Sequence, residues 1–224
     1  MNLRYLGHSA VQLVGDAVEL VIDPFVSGQA EPVVSLEELA PDLIVLSHAH
    51  GDHWGDTEEL ARANDATVVS SAEIAGHAGA LGLASHAMNT GGARDFGGCK
   101  IKFTPAFHSS SFPDGSYGGM PMGVVIEIDD LRCYHAGDTA LFSDMRLIGR
   151  GGLDVALLPI GDNFTMGPED ALEAVELLQP KLVVPIHYNT FPVIEQDGEA
   201  FARQVRERTS ADCRPLRPGE GLSL

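Results

Sequence analysis

Apolar residues in this chain come in short runs whose spacing switches between two periods. Leu3–Leu6, Ala10–Val14 and Val18–Ile22 read as strands, and the alternation in Ala10-Val11-Gln12-Leu13-Val14 is that of a hairpin strand. Leu36–Leu39 reads as a short helix and Leu43–Leu46 as a buried strand. Thr57–Asn64 has helical spacing, with Asp56 or Thr57 as N-cap and Glu58 and Glu59 in the first turn. A strand over Thr67–Ser70 and a helix over Ala72–Leu81 follow. A second series starts with a strand at Cys99–Pro105. Val124–Ile128 and Leu131–His135 then flank Asp129-Asp130, a tight hairpin turn. Val155–Pro159 and Leu182–Ile186 are buried strands, and Pro168–Leu178 is a helix with Pro at its first position. An amphipathic helix over Glu199–Arg208 and a short strand near Leu222 end the chain. The two halves share an outline of hairpins followed by strand–loop–helix units. No linker or short-period repeat divides them, so one domain over residues 1–224 is expected.

The strands share a second property, which is that they end on residues able to bind metal. Val21-Ile22 leads to Asp23, Tyr134-His135-Ala136-Gly137 to Asp138, and Val183-Val184-Pro185-Ile186 to His187. Phe103-Thr104-Pro105-Ala106-Phe107 leads to His108. Leu43–Leu46 runs into His48-Ala49-His50-Gly51-Asp52-His53, four ligand-type side chains in six residues. Alternation along extended chain points His48 and His50 the same way, so they can chelate one ion. Asp52 and His53 follow a turn at Gly51 and can face a second. Imidazole and carboxylate without thiolate suit Zn²⁺, Mn²⁺ or Fe²⁺ rather than a Cys-rich structural zinc site.

On these residues the chain resembles the metallo-β-lactamase superfamily. His48–His53 stands as the family's H-x-H-x-D-H motif, followed in the family's order by His108, Asp138 and His187. Gly7-His8-Ser9, Ile22-Asp23-Pro24-Phe25, His135–Thr139, Asn163–Pro168 and Pro185–Thr190 are similar to a bacterial and archaeal branch of metal-dependent hydrolases. That branch is related to L-ascorbate-6-phosphate lactonase and to the phospholipase D that releases N-acylethanolamines. The resemblance implies an α+β fold, the four-layer αββα sandwich, with two divalent metal ions at one edge of the sheets. It implies that His48, His50 and His108 hold one ion, that Asp52, His53 and His187 hold the other, and that Asp138 bridges them. The implied chemistry is hydrolysis by a water activated between the ions. True β-lactamases of the superfamily carry Cys where Asp138 stands, so a β-lactam substrate is not expected.

Other residues are candidates with open alternatives. Asp23 could accept the free N–H of a ligand His, or simply cap a strand end. His8 could approach substrate or activated water, or pack in its turn. His135 could support the bridge or donate a proton. Asn163, Tyr188 and Asn189 could line a pocket, and Phe112–Pro121 could be a substrate lid or a surface turn. His77 and His86 read as surface or packing residues. Asp52, Asp138, His135 and His8 are thus the candidates for catalysis.

Charge narrows the partners. Thirty-two acidic against 14 basic residues give a net charge of −18, a field that disfavours long nucleic acid. A small-molecule substrate remains. The first expectation is a phosphodiester or other phosphate-bearing molecule, with Arg94, Lys100, Lys102, Arg132 and Arg146 as candidate clamps. The alternative is a lactone or carboxylic ester, and a third reading is a non-catalytic iron-binding module. No apolar run approaches the roughly 20 residues of a membrane span. The N-terminus reads as a strand rather than a secretion leader. The three Cys, Cys99, Cys133 and Cys213, are scattered, which fits buried thiols in a reducing cytoplasm. A homo-oligomer is expected from the resemblance.

Overall fold

A computed structural model describes all residues, Met1–Leu224. Its elements in order are β1 (Asn2–Gly7), β2 (Ala10–Val14), β3 (Glu19–Ile22), β4 (Leu43–Val45), α1 (Gly51–Trp54), α2 (Thr57–Asn64), β5 (Thr67–Ser71), α3 (Ala72–Ala80) and β6 (Ser85–Met88). The second series is β7 (Ala93–Asp95), β8 (Cys99–Pro105), β9 (Met122–Ile128), β10 (Leu131–His135), α4 (Met145–Gly149), β11 (Leu153–Pro159), α5 (Pro168–Leu178), β12 (Pro180–Ile186), α6 (Gly198–Arg208), β13 (Asp212–Cys213) and β14 (Gly221–Ser223). Two one-turn 3₁₀ segments, Leu36–Glu38 and Pro192–Ile194, complete the chain.

The strands form two seven-stranded sheets, ordered β14-β1-β2-β3-β4-β5-β6 and β13-β12-β11-β10-β9-β8-β7. Each sheet is antiparallel through its hairpins and then parallel, from β3 to β6 in one and from β10 to β13 in the other. Alternation along the strands produces the layers. Val155 and Leu157 of β11 face the core between the sheets, while Ala156 and Leu158 face the helices α4–α6. Leu43 and Val45 of β4 face that same inter-sheet core, and Ile44 faces α2 and α3. Both faces of the inner strands are therefore apolar, which is why they read as continuous runs. The result is the αββα sandwich, and no helix is long and apolar enough to cross a membrane.

Several predicted elements match in detail. Asp129 and Asp130 both take positive φ, 51° and 61°, as a two-residue primed hairpin turn requires. One cap differs. Asp56 precedes α2, but its carboxylate accepts from the Val26 and Ser27 amides instead, at 2.8 and 2.9 Å. The predicted turn at Gly51 is the one-turn helix α1, with the His53 amide donating to the His50 carbonyl. The loop after His108 forms a small hairpin closed by the Ser111–Tyr117 bridge and anchored by buried Phe112, which stacks on His77 at 4.2 Å.

Parallel neighbours run in one direction, so their C-terminal ends share an edge. The ends of β3, β4, β10 and β12 deliver Asp23, His48, Asp138 and His187 to that edge.

Candidate metal centre

Asp138 is the centre of the arrangement. It follows Gly137, where φ is +61° and a Cβ would stand 2.9 Å from both the Met122 carbonyl and the Ser47 Cβ. Only glycine lets the chain turn so tightly against the other sheet. The Asp138 side chain is 3% exposed, and four imidazole nitrogens surround its Oδ2. His187 Nε2 lies at 3.0 Å, His53 Nε2 at 3.3 Å, His108 Nε2 at 3.5 Å and His48 Nε2 at 4.0 Å. Its other oxygen, Oδ1, is buried with no hydrogen-bond partner. A buried carboxylate oxygen without a partner is costly, and one oxygen cannot satisfy four converging imidazoles. Divalent cations placed among these groups would resolve both mismatches, so the donor set fits metal.

The remaining groups divide in two. His48, His50 and His108 form one cluster, and Asp52, His53, His187 and His8 form another. In the first, His48 Nε2 and His50 Nδ1 are 3.0 Å apart. In the second, His53 sends Nδ1 to Asp23 Oδ2 at 2.8 Å and turns Nε2 toward Asp138. Asp23 also accepts from the Ser47 hydroxyl at 2.6 Å, and that oxygen faces His48 Nδ1 at 2.9 Å. One buried carboxylate thereby orients a histidine in each cluster. These contacts go beyond what a strand-end cap alone would make.

Burial and charge set the protonation. Burial works to raise the Asp138 carboxyl, but His53 and His187 reverse this and hold it well below the usual range. Burial works to lower His53, yet Asp138 and Asp23 push it well above the ordinary value. Burial drives His48 well down and His8 down to about 4, and it also lowers His50 and His108. Burial works to raise Asp52 as well, but the His8 hydrogen bond and the His53 charge leave it lowered.

Backbone conformation marks the same edge. His8, Asp23 and His187 take φ values of 54°, 45° and 52°, and Asp162, Asn163 and Asn189 on neighbouring loops are also positive. Asp and Asn visit this region readily, so the cost, about 1–2 kcal/mol each, falls mainly on His8 and His187. Residues held there are over-determined by their surroundings, and such residues gather at functional sites.

A model of the beta-lactamase superfamily domain matches residues 19–188. A UPF0173 metal-dependent hydrolase of Thermus thermophilus is 59% identical over 224 residues, covering 100% of this chain and 99% of the relative. The chain belongs to the UPF0173 metal-dependent hydrolase family. A relative from Pelotomaculum thermopropionicum is 50% identical over the full length of both chains. The solved structure of Igni18, described as a novel metallo hydrolase from Ignicoccus hospitalis, superposes with a TM-score of 0.91. It is 40% identical over 99% of this chain and 97% of that one.

Not every candidate meets at the centre of this UPF0173 chain. His135 is fully buried, its Nε2 donates to the Ser9 carbonyl at 2.9 Å, and its Nδ1 accepts from the Gly137 amide at 3.1 Å. Both nitrogens are used, so it has none to offer a reacting group. Its geometry is that of a brace for the Gly137–Asp138 turn. Asn163 is exposed, and its amide turns back to the Asp162 carboxylate at 2.9 Å. Asn189 uses its side-chain oxygen to accept the Gln196 amide at 2.7 Å, shaping its own loop. His77 packs between Trp54 and Phe112, and His86 against Phe96.

The candidate phosphate clamps also lie elsewhere. Lys100 and Arg132 pair with Glu127, at the ends of β8–β10 remote from the cluster, and Arg94 lies over Phe96. Lys102 and Arg146 are exposed and make no ion pair with the cluster.

Ser47 and Ser109 gained roles that the linear chain did not announce. Ser47 links Asp23 to His48, and the Ser109 hydroxyl lies 3.4 Å from His50 Nε2. The one available signal was a small hydroxyl residue directly beside a candidate histidine in the sequence.

Proposed function

We propose that this protein is a hydrolase of small molecules that works with two divalent ions. His48, His50 and His108 would hold one, Asp52, His53 and His187 the other, and Asp138 would stand between them. The observation that carries this reading is the Asp138 carboxylate, with four imidazoles around one oxygen and no partner for the other. Such ions, when bound, polarise the scissile group and make a water nucleophilic at neutral pH. Zn²⁺ and Mn²⁺ suit the donors best, and Fe²⁺ is also compatible.

The chain's own residues supply orientation. Asp23 turns His53 and, through Ser47, His48. Asp138, kept ionised, fixes the spacing of the two clusters. Asp52 stays ionised at the less buried side of the second cluster, where a proton acceptor would meet substrate.

A carboxylic ester or lactone is the substrate class we favour. A transferring phosphate is commonly clamped by cationic side chains, and none of the five candidate clamps forms an ion pair with this cluster. The test is hydrolysis of a lactone panel beside bis(p-nitrophenyl) phosphate, on protein reloaded with Zn²⁺ or Mn²⁺, with Asp138→Ala as control. Metal-dependent lactone turnover that Asp138→Ala abolishes is the expected result. Turnover of the phosphodiester alone would overturn the ester assignment. Absence of bound metal in the parent protein would overturn the whole reading.

A further inference from the structure

Asp52 approaches the second cluster from a one-turn helix, and its side chain is 30% exposed. A carboxylate so placed needs a support. That support is His8, whose Nε2 lies 3.2 Å from Asp52 Oδ2. On its other side, His8 Nδ1 lies 2.9 Å from Thr190 Oγ1. The ring is held on several sides. His187 lies 4.2 Å away, and Phe25 and Phe191 present edges at 5.7 and 5.5 Å. The backbone is held too. The His8 carbonyl accepts from the His187 amide at 2.8 Å and from the Tyr5 hydroxyl at 3.0 Å. The turn between β1 and β2 thus reaches across from the first sheet and grips the ligand end of β12.

A carboxylate accepts hydrogen bonds and does not donate them, so the hydrogen between His8 and Asp52 belongs to Nε2. With that nitrogen protonated, the other accepts in a ring carrying a single N–H, and the Thr190 hydroxyl must be the donor. We infer that Thr190 and His8 are positioning residues for Asp52, with Thr190 fixing the ring's tautomer and Nε2–H fixing one carboxylate oxygen. The other oxygen is left free of that bond. The assignment rests on the proposed role of Asp52 in holding an ion. It makes His8 a support rather than a ligand, although its ring lies within the cluster of Asp52, His53 and His187. It mirrors the Asp23–His53 contact with the roles exchanged, since there a carboxylate steers a histidine and here a histidine steers a carboxylate. Partners of this kind typically change metal affinity 10–100-fold when removed.

Two measurements test it. Thr190→Val keeps the branched shape and removes the hydroxyl, and Thr190→Ser restores a hydroxyl. Zinc titration against a chromophoric chelator should show Thr190→Val weakening one of two zinc sites by about 10–100-fold, with Thr190→Ser close to the parent. Equal zinc affinities in Thr190→Val and parent would overturn the role of Thr190. Nitrogen-15 NMR of the His8 ring should place the proton on Nε2 in both metal-free and zinc-loaded protein. A zinc-bound Nε2 with the proton on Nδ1 would make His8 a ligand and overturn the inference. If the parent takes up no second zinc, the two-ion reading itself fails. The His8 tautomer in the metal-free protein still decides whether the Thr190–His8–Asp52 chain exists.

Discussion

The two histidine-rich clusters lie side by side around Asp138 but are built differently. His48, His50 and His108 contain no carboxylate of their own, and His50 and His108 are partly exposed. Their supports are hydroxyls, Ser47 behind His48 and Ser109 near His50. The cluster of Asp52, His53 and His187 has its own carboxylate, with His53 and His187 buried. Its supports are a buried carboxylate, Asp23, and a buried imidazole, His8. Negative charge and strong orienting hydrogen bonds both favour a divalent cation, so the second cluster should bind more tightly. The difference teaches that a symmetric-looking list of ligands need not make two equal sites.

The largest effect should come from the group that both clusters share. Asp138→Ala should lose both ions and reduce activity by more than the roughly 10–100-fold typical of a lost supporting contact. Elemental analysis after desalting reads the loss, and retention of either ion at parental affinity would show that the clusters do not depend on a bridge.

Removing one ligand from each cluster sharpens the contrast. His50→Ala should leave about one tightly held ion per chain, whereas the single ion left in His53→Ala should be readily stripped by chelator. Equal resistance of the two variants would erase the proposed asymmetry.

Asp23→Asn keeps the shape but removes the charge. Metal affinity should fall by about 10–100-fold in the His53 cluster and by less in the His48 cluster, because Ser47 stands between. Competition with a graded series of chelators resolves the two.

The smallest effect is in pH dependence. His8, His48, His50, His108 and His135 are all lowered by burial, so below about pH 6.5 the unfolded chain binds protons that the metal-free fold refuses. Stability should therefore fall as pH drops below that point. His53 is raised, so its contribution is fully present below about pH 6.5 and is lost as pH rises through its folded value. Metal-free protein should thus be most stable near pH 6.5, to within about one unit. If His53 holds metal, loading would displace its proton and should move that optimum upward. Thermal unfolding across pH, with and without Zn²⁺, measures this, and an optimum that does not move would argue that His53 is not a ligand.

Much of the fold was legible because its elements carry strong local signals. α2, β8, β10 and α5 fall where periodicity and capping put them, and the Asp129-Asp130 turn was readable from two residues. The elements not foreseen are short and weakly patterned. β6 and β7 lie at or near the sheet edges, where Ser85, Ala93, Arg94 and Asp95 are exposed and only pairing with β5 and β8 makes strands of them. β13 is two residues long and depends on β12. α1 is a single turn of four residues opening on Gly, too short for a periodic signal, and forms where His50 and His53 are held by the site.

The side chains that gather around Asp138 could be listed from the chain and its family resemblance, because ligand-type side chains at the ends of apolar strands are a local feature. So could the layered fold, since the strands' two apolar faces require cover on both sides. The partnerships among those residues were decided by tertiary structure. Residues 8, 52 and 190 meet only when the turn of the first sheet crosses to the second. His135 is claimed by Ser9, 126 positions away, and the clamp candidates Lys100 and Arg132 are carried to the far end of the strands. Hydrogen bonds and ion pairs act over a few ångströms, and which groups come that close is set by how the two sheets pack.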